Sequence, residues 1–314
     1  MIVDGKKVKH FEIRPGMKVG ELVDEMGKVG VFSAGRLAEA VDIYLEMLDS
    51  DATVFLGISG ALVAGGLRRV LREAIVQDLV DVIVTTGANV VHDLLEAFGG
   101  HHLRGELFFD DAKLRERGIS RVYDAYLEQE AFELFEDNIQ PLLLEVTQRE
   151  RRMSSAKLLR EIGLRLRDDD SFIKAAARKG VPVFAPALID SVFGLQAWLF
   201  SQDHELVLDG LLDVKEMFEI AHNAENSGAV ILGGGVPKNF ILQSKLMAPT
   251  PFKYAIQITM DRPEHGGLSG AALEEAKSWG KVAPNARLVT VIGDVTVVFP
   301  VLIAGVLGRR STKS

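Results

Sequence analysis

The amino-acid sequence predicts an α/β fold in which a doubly wound, mostly parallel sheet carries helices on both faces, as in Rossmann-like proteins. Six short runs are rich in β-branched residues and apolar at successive positions, which is typical of strands buried on both faces. Amphipathic stretches with helical spacing separate several of these runs. This alternation predicts right-handed crossovers between parallel strands.

The predicted strands are the apolar runs, which begin at Ala52, Leu79, Val181, Gly228, Tyr254 and Ala286. Helical spacing is clearest between them at Leu67–Leu79 and Ala131–Val146. Another helix is predicted to begin with a cap at Ser154 or Ser155. The acidic run Asp168–Asp170 is predicted to supply the N-terminal cap and the first-turn charge of the helix that follows it.

The composition is that of a compact protein with a substantial core, since 47% of the 314 residues are hydrophobic and 25% are charged. The formal net charge of −8 argues against a nucleic-acid partner. The chain has no cysteine, which excludes disulfides, thiolate metal sites and a cysteine nucleophile. His101 and His102 are adjacent residues that face different ways, and without an H-E-x-x-H pair we expect no metal site. No apolar segment reaches the roughly 18 residues of a membrane span, so we expect a cytoplasmic protein.

The residues that follow the predicted strands are mostly glycines, hydroxyl-bearing residues and single carboxylates. Ligands of open parallel sheets bind outside the carboxyl ends of the strands, so these loops point to one place. Gly60, Gly65 and Gly66 follow the first strand, and Gly233–Gly235 follow the fourth. Bare backbone N–H groups at such glycines can bind nucleotide phosphates, although each cluster alone is more often a tight turn. Together, the loops favour a nucleotide site.

The segment EEAKSWGKVAP, Glu274 to Pro284, is predicted to be helical until Gly280 ends it and to continue into a loop broken by proline. Lys281 then lies off the end of a helix, beside Trp279, one of only two tryptophans. A lysine in such a position is most often a solvated charge whose stem covers apolar surface. Alternatively, an aromatic wall can exclude water from an amine that must be neutral to act as a nucleophile.

Several motifs together resemble the deoxyhypusine synthase family. They are LGGGVPK from Leu232, followed by GGLSGA, EEAKSWGKV and GDVTVVFPVL, and earlier FLGISGALVAGGLRR, VDVIVTTGANVVHDL and VPVFAPALID. The resemblance covers most of the chain from about Thr53 onward, and the pattern PKNF with Gln243 downstream is similar to a divergent deoxyhypusine synthase-like branch. It implies a Rossmann-like NAD-binding fold, assembled as a homotetramer with active sites at dimer interfaces. Family members oxidise spermidine with NAD, pass its aminobutyl group through an imine on the lysine of the SWGK motif, and transfer it to a lysine of the initiation factor 5A precursor.

We predict a single NAD-binding α/β catalytic domain over residues 51–314, preceded by an N-terminal helical extension over residues 1–50, because the helix cap at Ser154 or Ser155 explains the charged patch from Gln148 without a domain joint. The resemblance implies roles for particular residues. Lys281 takes the position of the nucleophile, Glu275 that of a carboxylate for a substrate ammonium, and the substrate wall includes Trp279, Ser269 and Gly266. The implied NAD contacts are Gly60, Ala61, Ala64, Thr86, Gly87, Asp190, Gly234 and Asp294.

The sequence departs from the family pattern at four positions. Asn239 stands where well-studied synthases carry a catalytic histidine, and Leu195 and Leu268 stand where two aspartates bind polyamine nitrogens. His92 occupies a position where relatives carry an acidic residue or, in some, a histidine. Asn239 and His92 are accordingly expected to contact the substrate. Losing two carboxylates should weaken the binding of a trication or change its register, because each charged hydrogen bond contributes roughly 1.5–3 kcal/mol.

Three functions are compatible with the sequence. The first is a deoxyhypusine synthase that uses NAD and spermidine and modifies the factor 5A precursor. The second keeps NAD-dependent aminobutyl transfer but delivers the group to a small amine such as putrescine, forming homospermidine, or uses another amine such as agmatine. The third is an NAD-binding protein without turnover. Intact Lys281, Trp279 and Glu275 argue against the third function, whereas Asn239 and the two leucines argue against the first without excluding it.

Overall fold

The computed structural model describes residues 5–313, and its centre is a six-stranded parallel sheet. The strands in chain order are β1 (Thr53–Ile58), β2 (Val82–Thr85), β3 (Leu103–Arg104), β4 (Ile119–Val122), β5 (Ala125–Glu128), β6 (Arg152–Met153), β7 (Val183–Phe184), β8 (Val207–Leu208), β9 (Ser227–Leu232), β10 (Phe252–Thr259) and β11 (Val282–Ile292). The central sheet has the order β11-β10-β9-β1-β2-β7, and all of its neighbouring strands pair in parallel.

The helices connect these strands and cover both faces of the sheet. In chain order they are α1 (Val19–Val29), α2 (Phe32–Asp49), α3 (Arg68–Val76), α4 (Gly87–Ala97), α5 (Asp111–Glu116), α6 (Gln129–Thr147), α7 (Ser155–Gly163), α8 (Phe172–Lys179), α9 (Val192–Phe200), α10 (Gly210–Asn223), α11 (Gly235–Gln243), α12 (Glu275–Ser278) and α13 (Val295–Lys313). A π-helical turn, Val63–Leu67, precedes α3.

Side chains of β1 alternate between two hydrophobic clusters, one on each face of the sheet. Leu56 and Ile58 belong to the larger cluster, together with residues of α2, α4 and α13, whereas Phe55 belongs to a second cluster with residues of α10 and α11. Successive strand residues point to opposite faces, so the two clusters lie on opposite sides. The predicted doubly wound, mostly parallel α/β fold is therefore confirmed.

The six apolar runs all form strands of the central sheet, although the run from Val181 forms only the two-residue strand β7. Two small sheets have no counterpart in the predicted strands. One is antiparallel, with the order β3-β5-β4, and the other is a parallel pair of β6 and β8. Within residues 5–313, no helix combines the length and apolar character that crossing a membrane requires.

Two predicted helix starts had different outcomes. Ser154 caps α7, since its hydroxyl accepts a hydrogen bond from the Lys157 N–H at 3.0 Å. The prediction for Asp168–Asp170 was wrong, because Ser171 caps α8 by accepting from the Lys174 N–H at 3.0 Å. The aspartates precede the helix and form ion pairs with Arg68, Lys174 and Arg69, in that order. A hydroxyl directly before the first helical turn fits the cap better than carboxylates held by these cations.

The N-terminal helices pack on the same sheet as the predicted catalytic domain. Tyr44 of α2 is fully buried, and its hydroxyl donates to the Leu79 carbonyl at 3.0 Å. Met47 contacts the backbone at Gly228, where an added Cβ would lie 2.5 Å from the methionine sulfur. The division into an extension before residue 51 and a domain after it stays a prediction, and residues 1–4 and 314 of that division lie outside the described part of the chain.

The segment after Lys281 is a strand rather than the predicted proline-broken loop. β11 begins at Val282, directly after the turn, and contains Pro284. The pairing with β10 is irregular there, since Phe252 opposes Val282 while Tyr254, two residues later, opposes Arg287. β11 thus bulges around Pro284, and a bulge accommodates a residue that has no N–H to donate to the ladder.

Candidate active site

The loops after β1 and β9 are joined by hydrogen bonds at the carboxyl edge of the sheet. The Ser59 hydroxyl donates to the Leu232 carbonyl at 2.7 Å and accepts from the Gly234 N–H at 3.0 Å. Gly60 and Gly235 have positive φ angles of 66° and 55°, and an added Cβ at either would meet nothing within 4 Å. Both glycines therefore present bare backbone to open space at this edge.

The loops after β2 and β7 adjoin the loop after β1. The Thr86 hydroxyl donates to the Gly60 carbonyl at 2.7 Å, and the same oxygen caps α4 by accepting from the Asn89 N–H. An added Cβ at Gly87 would lie 2.6 Å from the Ser191 hydroxyl, so only a glycine allows this approach. The exposed Asp190 precedes Ser191 at this junction.

The loop after β11 also lies at this edge of the sheet, where it contacts the segment that follows β1. Asp294 accepts hydrogen bonds from the N–H of Thr296, at 2.8 Å, and from its hydroxyl. An added Cβ at Gly65 would lie 3.1 Å from the Thr296 side chain, which brings the π-helical turn with Ala64 against the start of α13. Ala61 lies in the turn just before it. The structure thus brings all eight residues expected to contact NAD to one edge of the sheet. We call this edge the cradle.

Among the helices that begin at the cradle are α4, α11 and α13. The first N–H groups of a helix have no partner within the helix, and the helix dipole places partial positive charge there. Three such ends, together with the open glycines Gly60 and Gly235, form a site suited to a diphosphate. The residues present therefore fit the dinucleotide that the sequence predicts.

The loop between β10 and α12, residues 260–274, lies against the cradle; we call it the substrate loop. Asp261 accepts hydrogen bonds from the Ser269 hydroxyl, from the Arg262 N–H at 2.8 Å and from His265 Nδ1 at 2.8 Å. The bond from Ser269, followed by those from the Arg262 N–H and His265, lowers the pKa of Asp261 to about 2. Gly266 has a φ of 72° at the exposed turn of this loop. Asp261 is a site residue that the sequence analysis missed.

Lys238 holds the substrate loop through hydrogen bonds to its backbone. Its side chain is buried, and Nζ donates to Gln257 Oε1 at 2.9 Å, to the Leu268 carbonyl at 2.9 Å and to the Ala271 carbonyl at 2.5 Å. Burial lowers the pKa of Lys238 to about 8, against the attraction of Glu275. Its position in the glycine-rich LGGGVPK motif was the available signal, but sequence spacing could not reveal that the ammonium points to the substrate loop.

Gln257 connects this anchor to the cradle. Its Nε2 donates to the Gly233 carbonyl at 2.8 Å and to the Ser269 carbonyl at 2.9 Å. An added Cβ at Gly234 would lie 2.3 Å from the Ser269 Cα. Ser269 of the expected substrate wall is therefore held beside the cradle, and Gly266 lies in the same loop.

Lys281 follows a turn at the end of α12, as predicted. Gly280 has a φ of 70°, and Lys281 Nζ lies 5.2 Å from the centroid of the Trp279 ring. Trp279 is 62% exposed, Glu275 is exposed and Lys281 is half-buried. A cation at this distance from an indole is attracted to the ring, and one side of the amine is shielded from water.

Lys281 lies at the amino-terminal ends of the sheet strands, and the cradle lies at their carboxyl ends. The Lys281 carbonyl accepts from the N–H of Phe252, the first residue of β10, whereas the cradle is at the carboxyl end of that strand, near Thr259. Seven residue steps of about 3.3 Å separate the two ends by about 23 Å. A lysine side chain with four methylene groups cannot cover that distance. A single chain thus brings together the cradle and the substrate loop but leaves Lys281, Trp279 and the cradle apart.

The remaining expected substrate residues lie on two helices. Asn239 is on α11, and its side-chain nitrogen donates to Gln243 Oε1 at 3.2 Å. His92 is buried on α4, and its Nδ1 lies 2.9 Å from His102 Nε2. Burial, together with the charge of His102 and against that of Glu96, lowers the pKa of His92 to about 4. The His92 imidazole is therefore neutral at physiological pH.

A sequence model of one protein family, described as deoxyhypusine synthase, matches residues 21–306. The chain belongs to the deoxyhypusine synthase family. It is 49% identical over 307 residues to "Probable deoxyhypusine synthase 1" of Methanosarcina acetivorans, with 98% of this chain and 96% of the relative covered. A "Probable deoxyhypusine synthase" of Methanothermobacter thermautotrophicus is 45% identical over 303 residues, covering 96% of this chain and 98% of the relative.

A solved structure has the same fold. The crystal structure assigned to a deoxyhypusine synthase from Entamoeba histolytica superposes with a TM-score of 0.67 at 20% identity, covering 96% of this chain and 97% of that one. Deoxyhypusine synthases are enzymes that transfer an aminobutyl group, and this chain is a member of that class of transferases. The resemblance seen in the motifs of the sequence is thereby confirmed.

Proposed function

We propose that the protein is an NAD-dependent deoxyhypusine synthase that cleaves spermidine and transfers its aminobutyl group, through Lys281, to a lysine of the initiation factor 5A precursor. The observation that carries the proposal is the turn at Gly280, which places the Lys281 amine against the exposed Trp279 ring in a chain of this family. Because the acceptor is a translation factor, the proposal includes a cytoplasmic location.

The cradle would hold NAD in this proposal. The N-termini of α4, α11 and α13 and the open glycines would bind its diphosphate, and the exposed Asp190 and Asp294 would contact its ribose hydroxyls. Bound there, NAD supplies a hydride acceptor. Ser269 lies close to the cradle, and with Gly266 of the same loop it would line the amine substrate.

The exposed residues around Lys281 suit a polyamine. Trp279 offers an aromatic face to a cationic chain, and Glu275 offers a carboxylate to an ammonium group. A primary amine on Lys281 can attack an oxidised amine carbon, displace the departing diamine and carry the aminobutyl group as an imine. The acceptor amine then replaces Lys281 on the same carbon, and the hydride taken up by the cofactor would return to that carbon and reduce the new imine to the amine product.

We propose further that the complete site forms between two copies of the chain, within a homotetramer. The separation of Lys281 from the cradle supports this assembly, because the amine must reach the carbon from which hydride leaves. Trp279 of one copy would then cover the cradle of the other and lose its exposure to water. The desolvation that an imine-forming lysine needs would come from the assembly.

A small-amine acceptor is the second candidate. Leu195 and Leu268 are 64% and 42% exposed, so the two positions are open to a ligand but offer no carboxylate to polyamine nitrogens. Asn239 cannot carry a proton as the family histidine does. These three residues favour an altered acceptor, such as putrescine, with the same transfer chemistry.

Incubation with NAD and labelled spermidine, with the factor 5A precursor or putrescine as acceptor, tests both candidates. Borohydride added during turnover should reduce the imine and leave an aminobutyl adduct on Lys281, which mass spectrometry locates. Lys281→Arg keeps the charge but cannot form the adduct, so we expect transfer to be abolished. Lys253→Arg, an exposed lysine of β10, is the matched control and should retain activity. Full transfer by Lys281→Arg, or an adduct on Lys238, would contradict the proposal.

A further inference from the structure

Three side chains on α4 and in the loop that follows it form a hydrogen-bonded row. Glu96 Oε1 lies 2.6 Å from His102 Nδ1, and His102 Nε2 lies 2.9 Å from His92 Nδ1. The two imidazole rings are 4.9 Å apart, centroid to centroid. His92 and the His102 side chain are 7% and 9% exposed, so little water competes for these bonds.

The row determines which ring nitrogens carry protons. The pKa of Glu96 is lowered, because the bond from His102 and the charge of Arg68 outweigh the opposing effect of burial, so Glu96 is a carboxylate and accepts. His102 Nδ1 must then carry a proton, and in a neutral ring its Nε2 is an acceptor. His92 Nδ1 must donate to that acceptor, which leaves the lone pair of neutral His92 on Nε2. Nε2 of His92 has no hydrogen-bond partner among residues 5–313.

His92 lies on α4, one of the helices that begin at the cradle. It is five residues beyond Gly87, about 7.5 Å along the helix axis. A histidine of the substrate loop, His265, is 67% exposed and bonded to Asp261. Asn239 has no basic nitrogen.

We propose that Glu96, His102 and His92 form a proton relay in which Nε2 of His92 accepts a proton from the ammonium group of the amine substrate. When the substrate N–H bond breaks, its electron pair stays on the substrate nitrogen and a proton binds His92 Nε2. The proton on His92 Nδ1 then moves to His102 Nε2, and His102 becomes an imidazolium beside the Glu96 carboxylate. The neutral amine can now release hydride from its neighbouring carbon, because the nitrogen lone pair stabilises the developing cation. This inference rests on the proposed function for the identity of the substrate.

The surroundings favour charge on His102 over charge on His92. Burial disfavours a cation at His92, as its lowered pKa indicates, whereas His102 would share its charge with Glu96. Arg68 of α3 holds Glu96 at 3.4 Å and also pairs with Asp93 of α4 and with Asp168, which precedes α8. The neighbouring His101 is exposed. His102 and Glu96 are therefore positioning residues that receive and hold the proton.

The relay predicts a definite pH dependence. At acidic pH the row already holds the extra proton, Nε2 of His92 carries hydrogen, and kcat/KM falls. Glu96→Gln removes the charge that holds this proton, so the fall in kcat/KM at acidic pH should move to lower pH. The glutamine can also donate to His102 Nδ1, which reverses the row and puts a proton on His92 Nε2. We expect kcat/KM on the plateau to fall by about 10- to 100-fold with little change in the KM for NAD.

Solid-state NMR of protein labelled with ¹⁵N-histidine measures the row without any turnover, and a His92→Gln spectrum identifies the His92 signals. In the wild-type protein at pH 7.5 we expect the His92 proton on Nδ1, and in Glu96→Gln on Nε2. His101→Gln is the matched control and should change neither the His92 tautomer nor the pH profile. A wild-type His92 with its proton on Nε2, or Glu96→Gln with wild-type kcat/KM and pH profile, would overturn the relay. Neither result depends on which acceptor the enzyme uses, and failure of the borohydride trap would refute the proposed function separately.

Discussion

Lys238 and Lys281 show how the surroundings of a residue decide the role of an amine. Lys238 is 2% exposed, and Nζ donates to three acceptors on two segments of the chain. Its lone pair is unavailable while those bonds hold the ammonium form. Lys281 is half-buried beside an exposed tryptophan ring, which leaves its amine accessible. We therefore expect Lys238 to position the substrate loop and Lys281 to carry the chemistry of the proposed function.

Replacing Lys238 by methionine should loosen the substrate loop. The change keeps the apolar stem but leaves the buried Gln257 Oε1 and two partly buried carbonyls without a donor, and an unsatisfied buried acceptor costs about 1–3 kcal/mol. We expect the free energy of unfolding to fall by about 2 kcal/mol and the KM for the amine to rise more than the KM for NAD. Chemical denaturation and steady-state kinetics measure the two effects.

Lys253→Met is the control for this prediction, because Lys253 is an exposed lysine of the neighbouring strand β10. Its stability and kinetics should match the wild type. A Lys238→Met protein with unchanged KM for the amine would show that the lysine does not position the substrate loop.

At the scale of elements, the contact between the start of α11 and the substrate loop depends on the absence of a side chain. An added Cβ at Gly234 would lie 2.3 Å from Ser269 Cα, a backbone atom that cannot move without the loop. Gly234→Ala should therefore separate the loop from the cradle, destabilise the protein by about 1–3 kcal/mol and weaken NAD binding. Calorimetry with NAD and thermal unfolding measure both changes.

Gly210→Ala provides the matched comparison. Gly210 begins α10, and an added Cβ there would meet nothing within 4 Å. We expect this variant to be as stable as the wild type or slightly more stable, because alanine favours a helix over glycine. Equal NAD affinity of Gly234→Ala and Gly210→Ala would refute the close contact as a determinant of the site.

At the scale of the whole molecule, the separation of Lys281 from the cradle predicts that two defective chains can restore one another. Lys281→Arg keeps an intact cradle, and Gly234→Ala keeps an intact lysine. In a mixed dimer with sites shared between chains, one of the two sites combines both intact parts. At a NAD concentration too low to saturate the weakened Gly234→Ala cradle, random mixing should therefore recover about a quarter of wild-type activity. Co-refolding the two variants in equal amounts and assaying transfer measures this recovery.

Mixing Lys281→Arg with Lys281→Ala should restore nothing, because neither chain supplies the amine. Recovery in that control would point to contaminating wild-type enzyme. No recovery in the first mixture, with mixed oligomers present by native mass spectrometry, would show that each site is built from one chain.

The sequence alone determined the central sheet and the family. Runs such as those from Ala52 and Gly228 are apolar on both faces, and that pattern is a local property of strands in a covered parallel sheet. The turn at Gly280 was equally local, since it needs only a residue that tolerates positive φ. The eight residues of the cradle came from the family resemblance, and their common location follows from one rule, because all parallel strands of a sheet end at the same edge.

The tertiary structure alone decided which side chains meet. Lys238 reaches carbonyls 30 and 33 residues away, and His102 reaches across a loop to His92, contacts that no spacing in the sequence encodes. The resemblance placed Lys281 and Gly234 in active sites at dimer interfaces, and within one chain the structure puts them at opposite edges of the sheet. The strand that follows Lys281 runs the length of the sheet before its loop reaches the cradle, so a short distance along the chain became a long one in space. Local patterns determine elements, whereas the packing of distant segments determines which amine, carboxylate and backbone groups share a site.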